Sequence, residues 1–135
     1  MADGYVIDTD VISYLFRGDS RAEPYRPYLV GTTLAVSFMT VAELDRWAIQ
    51  RNWGAARQDR LAHFLEQFAI VLVDRALCRM WAEVGESARS HGRPIQTADA
   101  WIAATAISLG VPLLTYNHED YVGVSDLVVL PERAM

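Results

Sequence analysis

Lysine is absent from this 135-residue sequence, and all 12 basic residues are arginine. Every mechanism that needs a lysine amine, as Schiff-base former or as phosphate anchor, is thereby excluded. Cysteine occurs once, at Cys78, so neither an intrachain disulfide nor a cysteine zinc cluster can form. The residue reads as a small core side chain. No run of about 18 apolar residues is present to cross a bilayer, and no charged-then-apolar leader opens the chain. The expectation is a soluble, cytoplasmic protein with no membrane role. Positive charge is also short: the formal net charge of −5 argues against holding nucleic acid through overall positive potential, leaving only local basic patches for that purpose. No repeat or low-complexity linker divides the chain, so one domain over residues 1–135 is expected. A domain of about 150 residues buries roughly 68–70% of the surface its unfolded chain exposes, enough for a single packed core.

What is present is an alternation of short β-branched runs with helical periodicity. Strands are predicted at Tyr5–Ile7, Leu34–Met39, Ala69–Val73, Pro112–Tyr116 and Leu127–Leu130. Helices are predicted at about Asp10–Phe16, Val41–Arg51, Ala55–Phe68, Ala76–Ser90 and Ala98–Leu109, with a short one near Glu23–Val30 complicated by Pro24 and Pro27. Thr40, Asp74 and Thr97 are predicted helix caps, and Gly110 followed by Pro112 is a stop signal. Strands alternating with helices imply right-handed crossovers and a parallel sheet covered on both faces. In such a sheet the strand order commonly reverses beside the first strand, opening a crevice at the carboxyl ends.

Acids recur where that crevice would lie. Asp8 ends the first apolar run, and backbone amides of the next turn could hold it ionised. Asp10, two residues on, reads equally well as a helix cap. Glu43 closes Thr40-Val41-Ala42-Glu43, a literal capping-box pattern, yet the preceding strand would deliver it to the side where Asp8 sits. Asp99 stands in a first helical turn, which the helix dipole favours, on a helix whose small apolar face implies close packing on the sheet. A last polar segment, Thr115-Tyr116-Asn117-His118-Glu119-Asp120-Tyr121, follows the fourth predicted strand. Two carboxylates forced to 4 Å repel by about 4 kcal/mol at an effective dielectric near 20. Proton sharing or a hard divalent cation offsets such repulsion, and scattered oxygen donors without a His/Cys set favour Mg²⁺ or Mn²⁺.

Asp8-Thr9-Asp10-Val11, Thr40-Val41-Ala42-Glu43-Leu44, Asp99-Ala100-Trp101-Ile102-Ala103-Ala104 and the Thr115–Tyr121 segment resemble, in order and nearly end to end, the four acidic motifs of PIN-domain ribonucleases, VapC toxins above all. The resemblance implies a three-layer α/β/α fold around a parallel sheet of about five strands. It implies a Mg²⁺- or Mn²⁺-dependent endoribonuclease that leaves 5′-phosphate and 3′-hydroxyl ends. It also implies a cognate antitoxin that inserts a segment into the acidic crevice, and a homodimer. Asp8, Glu43 and Asp99 match the first three acidic positions and are the expected catalytic and metal-binding residues. Many relatives carry an acid where Asn117 stands, so Asp120 becomes the fourth expected ligand or water-holder, with Asn117 an orienter. Thr9, Asp10 and Thr115 are expected in support, and Arg17, Arg46 and Arg93 are candidates for phosphate contact. Two other readings fit the same residues. Asp8-Thr9-Asp10 also opens aspartate-nucleophile phosphatases, and a catalytically silent binding module would use its acids only as caps.

Overall fold

Alternation of buried side chains along each short strand divides the protein into two cores, one on either face of a single sheet. The structure, a computed structural model, describes residues 4–132. Its strands are β1 (Gly4–Ile7), β2 (Thr33–Ser37), β3 (Ala69–Val71), β4 (Leu113–Leu114) and β5 (Val129–Leu130). They pair in parallel throughout, in the order β3-β2-β1-β4-β5. The helices are α1 (Thr9–Arg17), α2 (Arg26–Leu29), α3 (Phe38–Gln50), α4 (Ala55–Leu65), α5 (Arg75–Ser90) and α6 (Thr97–Leu109), with 3-10 turns at Ser20–Tyr25 and His118–Tyr121.

Successive strand residues point to opposite faces, and the packing follows that period. Val6, Ala35 and Leu113 face α5 and α6, joining Leu77, Val84, Ala88, Ile102, Ala103 and Ala106. Ile7, Val36 and Leu114 face the other way, onto Val11, Ile12, Leu44, Leu61 and Leu65 of α1, α3 and α4. Each fully buried Ile or Leu contributes about 1.5–3 kcal/mol by leaving water. The alanines of α6 are what let that helix lie close on the sheet. The result is the expected α/β/α sandwich. Among the described residues no helix is long and apolar enough to cross a membrane.

Several boundaries differ from expectation. α3 begins at Phe38, capped by Ser37, whose hydroxyl accepts from Met39 N at 3.0 Å. Thr40, the predicted cap, lies fully buried inside the first turn. Phe38 and Met39 read as strand because they are apolar, but they open the helix and pack toward α5 and α6. α6 begins at Thr97 with Gln96 as its cap residue, and no side chain caps it. α1 begins at Thr9, and Asp8 rather than Asp10 is its cap. The last three strands are shorter than predicted, since a ladder persists only where a neighbouring backbone is in register. Cys78 is half-buried rather than core. The caps at Asp74 and Gly110 stand where expected, Gly110 with φ 69.

β1 runs toward β2 and then β3 on one side and meets β4 on the other, so the sheet order switches between β1 and β4. There the loops leaving the carboxyl ends separate and open a crevice.

Candidate active site

Asp8 lies at that switch. Its backbone N–H donates to Leu114 O at 2.9 Å, extending the β1–β4 ladder by one bond. Its side chain turns inward and is 6% exposed. Oδ1 accepts from Thr9 N at 2.7 Å, while Oδ2 accepts from the Thr115 hydroxyl at 2.8 Å and the Tyr121 hydroxyl at 2.7 Å. Those bonds favour the carboxylate, but burial outweighs them and pushes its pKa up, with the Glu43 charge adding to the rise.

Glu43 comes from the second turn of α3. It does not reach back to close a capping box. Instead its Oε1 accepts from the Thr9 hydroxyl at 2.8 Å. A hydroxyl has one proton, so the Thr40 hydroxyl, 2.9 Å away, donates in turn to Thr9. Thr40 thus serves as the end of a polar chain running from α3 through α1 back to α3.

Asp99, in the first turn of α6, is half-buried. Burial first, then the charges of Asp8, Asp120 and Glu43, push its pKa up to about 7. These acids therefore share one field. Asp120 is exposed on the 3-10 turn after β4 and reaches the cluster by charge. Asp10 points elsewhere: its Oδ2 accepts from Tyr116 N at 3.2 Å and Asn117 Nδ2 at 3.0 Å, and its Oδ1 from Val11 N at 2.6 Å. Burial, then the Asp8 charge, raises its pKa to about 7. Asn117 is thereby tied to Asp10, and its N–H donates to Thr115 Oγ1 at 3.1 Å.

The arginines divide. Arg17 closes α1 at the end away from the crevice, about 12 Å from Thr9 at 1.5 Å per residue, and sits 3.9 Å from Asp19. Arg93 lies 3.9 Å from Glu119, beside the turn that carries Asp120. Arg46 is exposed on α3.

The PIN domain family profile matches residues 5–122, which takes in all four acidic segments. The chain belongs to the PIN-domain family. Among curated relatives, Ribonuclease VapC1 of Haemophilus influenzae is 28% identical over 125 residues, covering 91% of this chain and 93% of its own. Among solved structures, VapBC-1 from nontypeable Haemophilus influenzae superposes with a TM-score of 0.79 at 27% identity, covering 94% of this chain and 96% of that one. VapBC-5 from Mycobacterium tuberculosis, a member of the VapBC family of toxin-antitoxin systems, does so with a TM-score of 0.67 at 25% identity, covering 95% and 98%.

In this PIN domain the donors gathered at the crevice are all oxygen, the set that a hard cation prefers. Among the described residues no group of three or more Asp, Glu, His or Cys side chains lies close enough to hold a metal ion. Mg²⁺ takes only one or two carboxylates directly and keeps several waters, and the pair the site offers is Asp8 and Asp99, whose oxygens both lie beside the Tyr121 hydroxyl. Two hydroxyls escaped the sequence reading. Tyr121 stood only as the last residue of the polar segment after the fourth strand, and Thr40 only as a cap, because a hydroxyl's target depends on how its backbone turns.

Proposed function

We propose that this chain is a divalent-metal-dependent endoribonuclease toxin, restrained by a cognate antitoxin protein. The observation that carries the reading is the common field of Asp8, Glu43, Asp99 and Asp120 at the sheet's switch point, in the order expected of the family. The ribonuclease and toxin-antitoxin names of the relatives support it.

Asp8 and Asp99 would hold Mg²⁺ or Mn²⁺, with Glu43 completing or flanking the set and Asp120 acting through solvent at the rim. When bound, the cation supplies Lewis-acid stabilisation of the charge that builds on the phosphate oxygens. Glu43 is placed for the proton step. Its Oε1 is occupied by the Thr9 hydroxyl, so Oε2 is the atom left to orient an attacking water and take its proton. Water would add to phosphorus as Glu43 takes its proton, and the 3′ oxygen would leave with the bonding pair and take a proton from solvent, giving a 5′-phosphate and a 3′-hydroxyl. Asp10 fixes the loop bearing Asn117, and Thr115 fixes Asp8. Arg93 is a candidate for a substrate phosphate, since it lies 3.9 Å from Glu119, the residue before Asp120.

The phosphatase reading needs Asp8 as nucleophile with a basic residue, usually lysine, to steady the phosphoryl group. The chain has no lysine, and the donors to Asp8 are Thr9, Thr115 and Tyr121 rather than a cationic side chain. The silent-module reading needs the acids as caps, yet Glu43 and Asp120 cap nothing. An acidic crevice suits an arginine from an antitoxin segment. The test is incubation of the purified chain with total RNA, with and without Mg²⁺ or Mn²⁺, followed by mapping of new 5′ ends. Discrete cleavage that needs the cation, and that the product of the adjacent gene suppresses, is expected. Intact RNA under all divalent conditions would reject the enzyme.

A further inference from the structure

The mechanism leaves Tyr121 unused, although its hydroxyl lies 2.7 Å from Asp8 Oδ2 and 3.5 Å from Asp99 Oδ1. A phenol has one proton. It goes to Asp8, because 3.5 Å exceeds a normal O–H···O bond. The ring is 2% exposed and packs in the core beneath α6, so the hydroxyl has little freedom to move. Its neighbour Asp120 faces solvent from the same 3-10 turn, so the turn sets both at once.

Counting acceptor sites shows what this hydroxyl does to Asp8. A carboxylate offers about four lone-pair positions. On Oδ2 both are taken, by Thr115 and Tyr121, while on Oδ1 Thr9 N takes one. One position remains open, on Oδ1.

We propose that Tyr121 is a positioning residue of the candidate active site: with Thr115 it pins Asp8 Oδ2, so that Asp8 can meet a divalent cation through Oδ1 alone. The inference rests on the metal-dependent reading above. Its chemical consequence is selectivity. A carboxylate confined to one oxygen suits a small cation that demands near-octahedral geometry, such as Mg²⁺ or Mn²⁺. One free to offer both oxygens suits the larger, less directional Ca²⁺.

Tyr121→Phe keeps the ring and removes the hydroxyl. Mn²⁺ binding to the full chain, followed by electron paramagnetic resonance, is compared in wild type and variant, with Ca²⁺ as competitor. The Mn²⁺ dissociation constant should rise about 10- to 100-fold, the range seen when a hydrogen-bond partner of a metal ligand is removed. Ca²⁺ should also displace Mn²⁺ more readily than it does in wild type. A purely structural role would lower the melting midpoint while leaving Mn²⁺ affinity and Ca²⁺ competition of the folded protein unchanged, and that result overturns the proposal. Where wild type binds Mn²⁺ and Tyr121→Phe binds it equally, only the positioning role falls. Where wild type binds no Mn²⁺, the metal reading falls and takes this inference with it. Should Tyr121→Phe not fold, Thr115→Val removes the other Oδ2 donor and Thr115→Ser retains it. Weakened Mn²⁺ binding in the first and wild-type binding in the second supports the pinning of Oδ2, and equal binding in both overturns it.

Discussion

At the residue scale, Asp8 accepts three hydrogen bonds and still has a raised pKa, because taking its charge out of water costs more than those donors return. On the metal-dependent reading proposed above, a divalent cation would offset that cost by pairing with the carboxylate. Asp8→Asn, Glu43→Gln and Asp99→Asn should therefore each reduce divalent-dependent RNA cleavage by at least about 100-fold, since a metal's charge stabilisation is worth several kcal/mol at 1.36 kcal/mol per tenfold. Asp120→Asn, at the exposed rim, should cost less. Gel assays on variants with unchanged circular dichroism check the series. A folded Asp8→Asn protein that cleaves like wild type would remove Asp8 from the mechanism. Asp8, Glu43 and Asp99 stand out in the sequence as charged residues interrupting apolar patterns, whereas Asp120 lies in a polar segment and is singled out only by the family resemblance. Tyr121 and Thr40 do not stand out, since a buried hydroxyl looks the same in sequence whether it satisfies a turn or a carboxylate.

At the element scale, the turn carrying Asp120 and Tyr121 is held by close packing just beyond it. A Cβ on Gly123 would come to 2.6 Å from Arg93 O and 3.1 Å from Ala88 Cα, both backbone atoms that cannot swing aside. Gly123→Ala should destabilise the fold by about 1–3 kcal/mol, the usual cost of overpacking. It should also lower cleavage more than the stability loss explains, because the displaced turn moves both Asp120 and Tyr121. Chemical denaturation together with cleavage assays at a temperature where the variant is folded would separate the two effects. Wild-type stability would show that the turn yields freely. The same elements show where sequence patterning falters. Phe38 and Met39 are apolar in either a strand or a helix, and β2 ends at Ser37, which pairs with Val71 of β3 and at the same time caps α3.

At the scale of the whole molecule, the crowded acids couple stability to pH. Asp10 and Asp99 have pKa values near 7 in the fold against an ordinary 3.8, so the folded state keeps protons that the unfolded chain releases between those values. Their favourable contribution is fully present below pH 3.8 and is lost as pH rises through 7. The metal-free protein should thus melt several degrees lower at pH 8 than at pH 5.5. Mn²⁺ should restore stability at pH 8 and do little at pH 5.5, where protons hold the donors. Calorimetric scans at both pH values with and without Mn²⁺ test this, and an unchanged midpoint across the range would show that the acids do not interact as described. We also expect a homodimer through helical surface, read by sedimentation at micromolar concentrations. Trp53 stacks on Phe16 and Trp81 on Trp101 within the chain, so the expectation rests on the family resemblance and not on these rings. A monomeric mass at every concentration, with cleavage intact, would show that pairing is not needed.

By itself the sequence determined the layer architecture, because period-2 runs alternating with period-3.6 segments leave a parallel sheet covered on both faces as the stable burial. It also determined the identity and order of the acids, and the caps at Asp74 and Gly110. Only the tertiary structure decided what those acids do to one another. Glu43 had a local partner available in the backbone of Thr40 and took instead the hydroxyl of Thr9, which is 34 positions away in the chain. Asn117, on the same loop as Asp120, turned to Asp10 across a separation of 107 positions. Local pattern fixes which groups are polar and which turns they open. Their partners are set by which strand ends meet at the switch between β1 and β4, and that is a property of the assembled sheet.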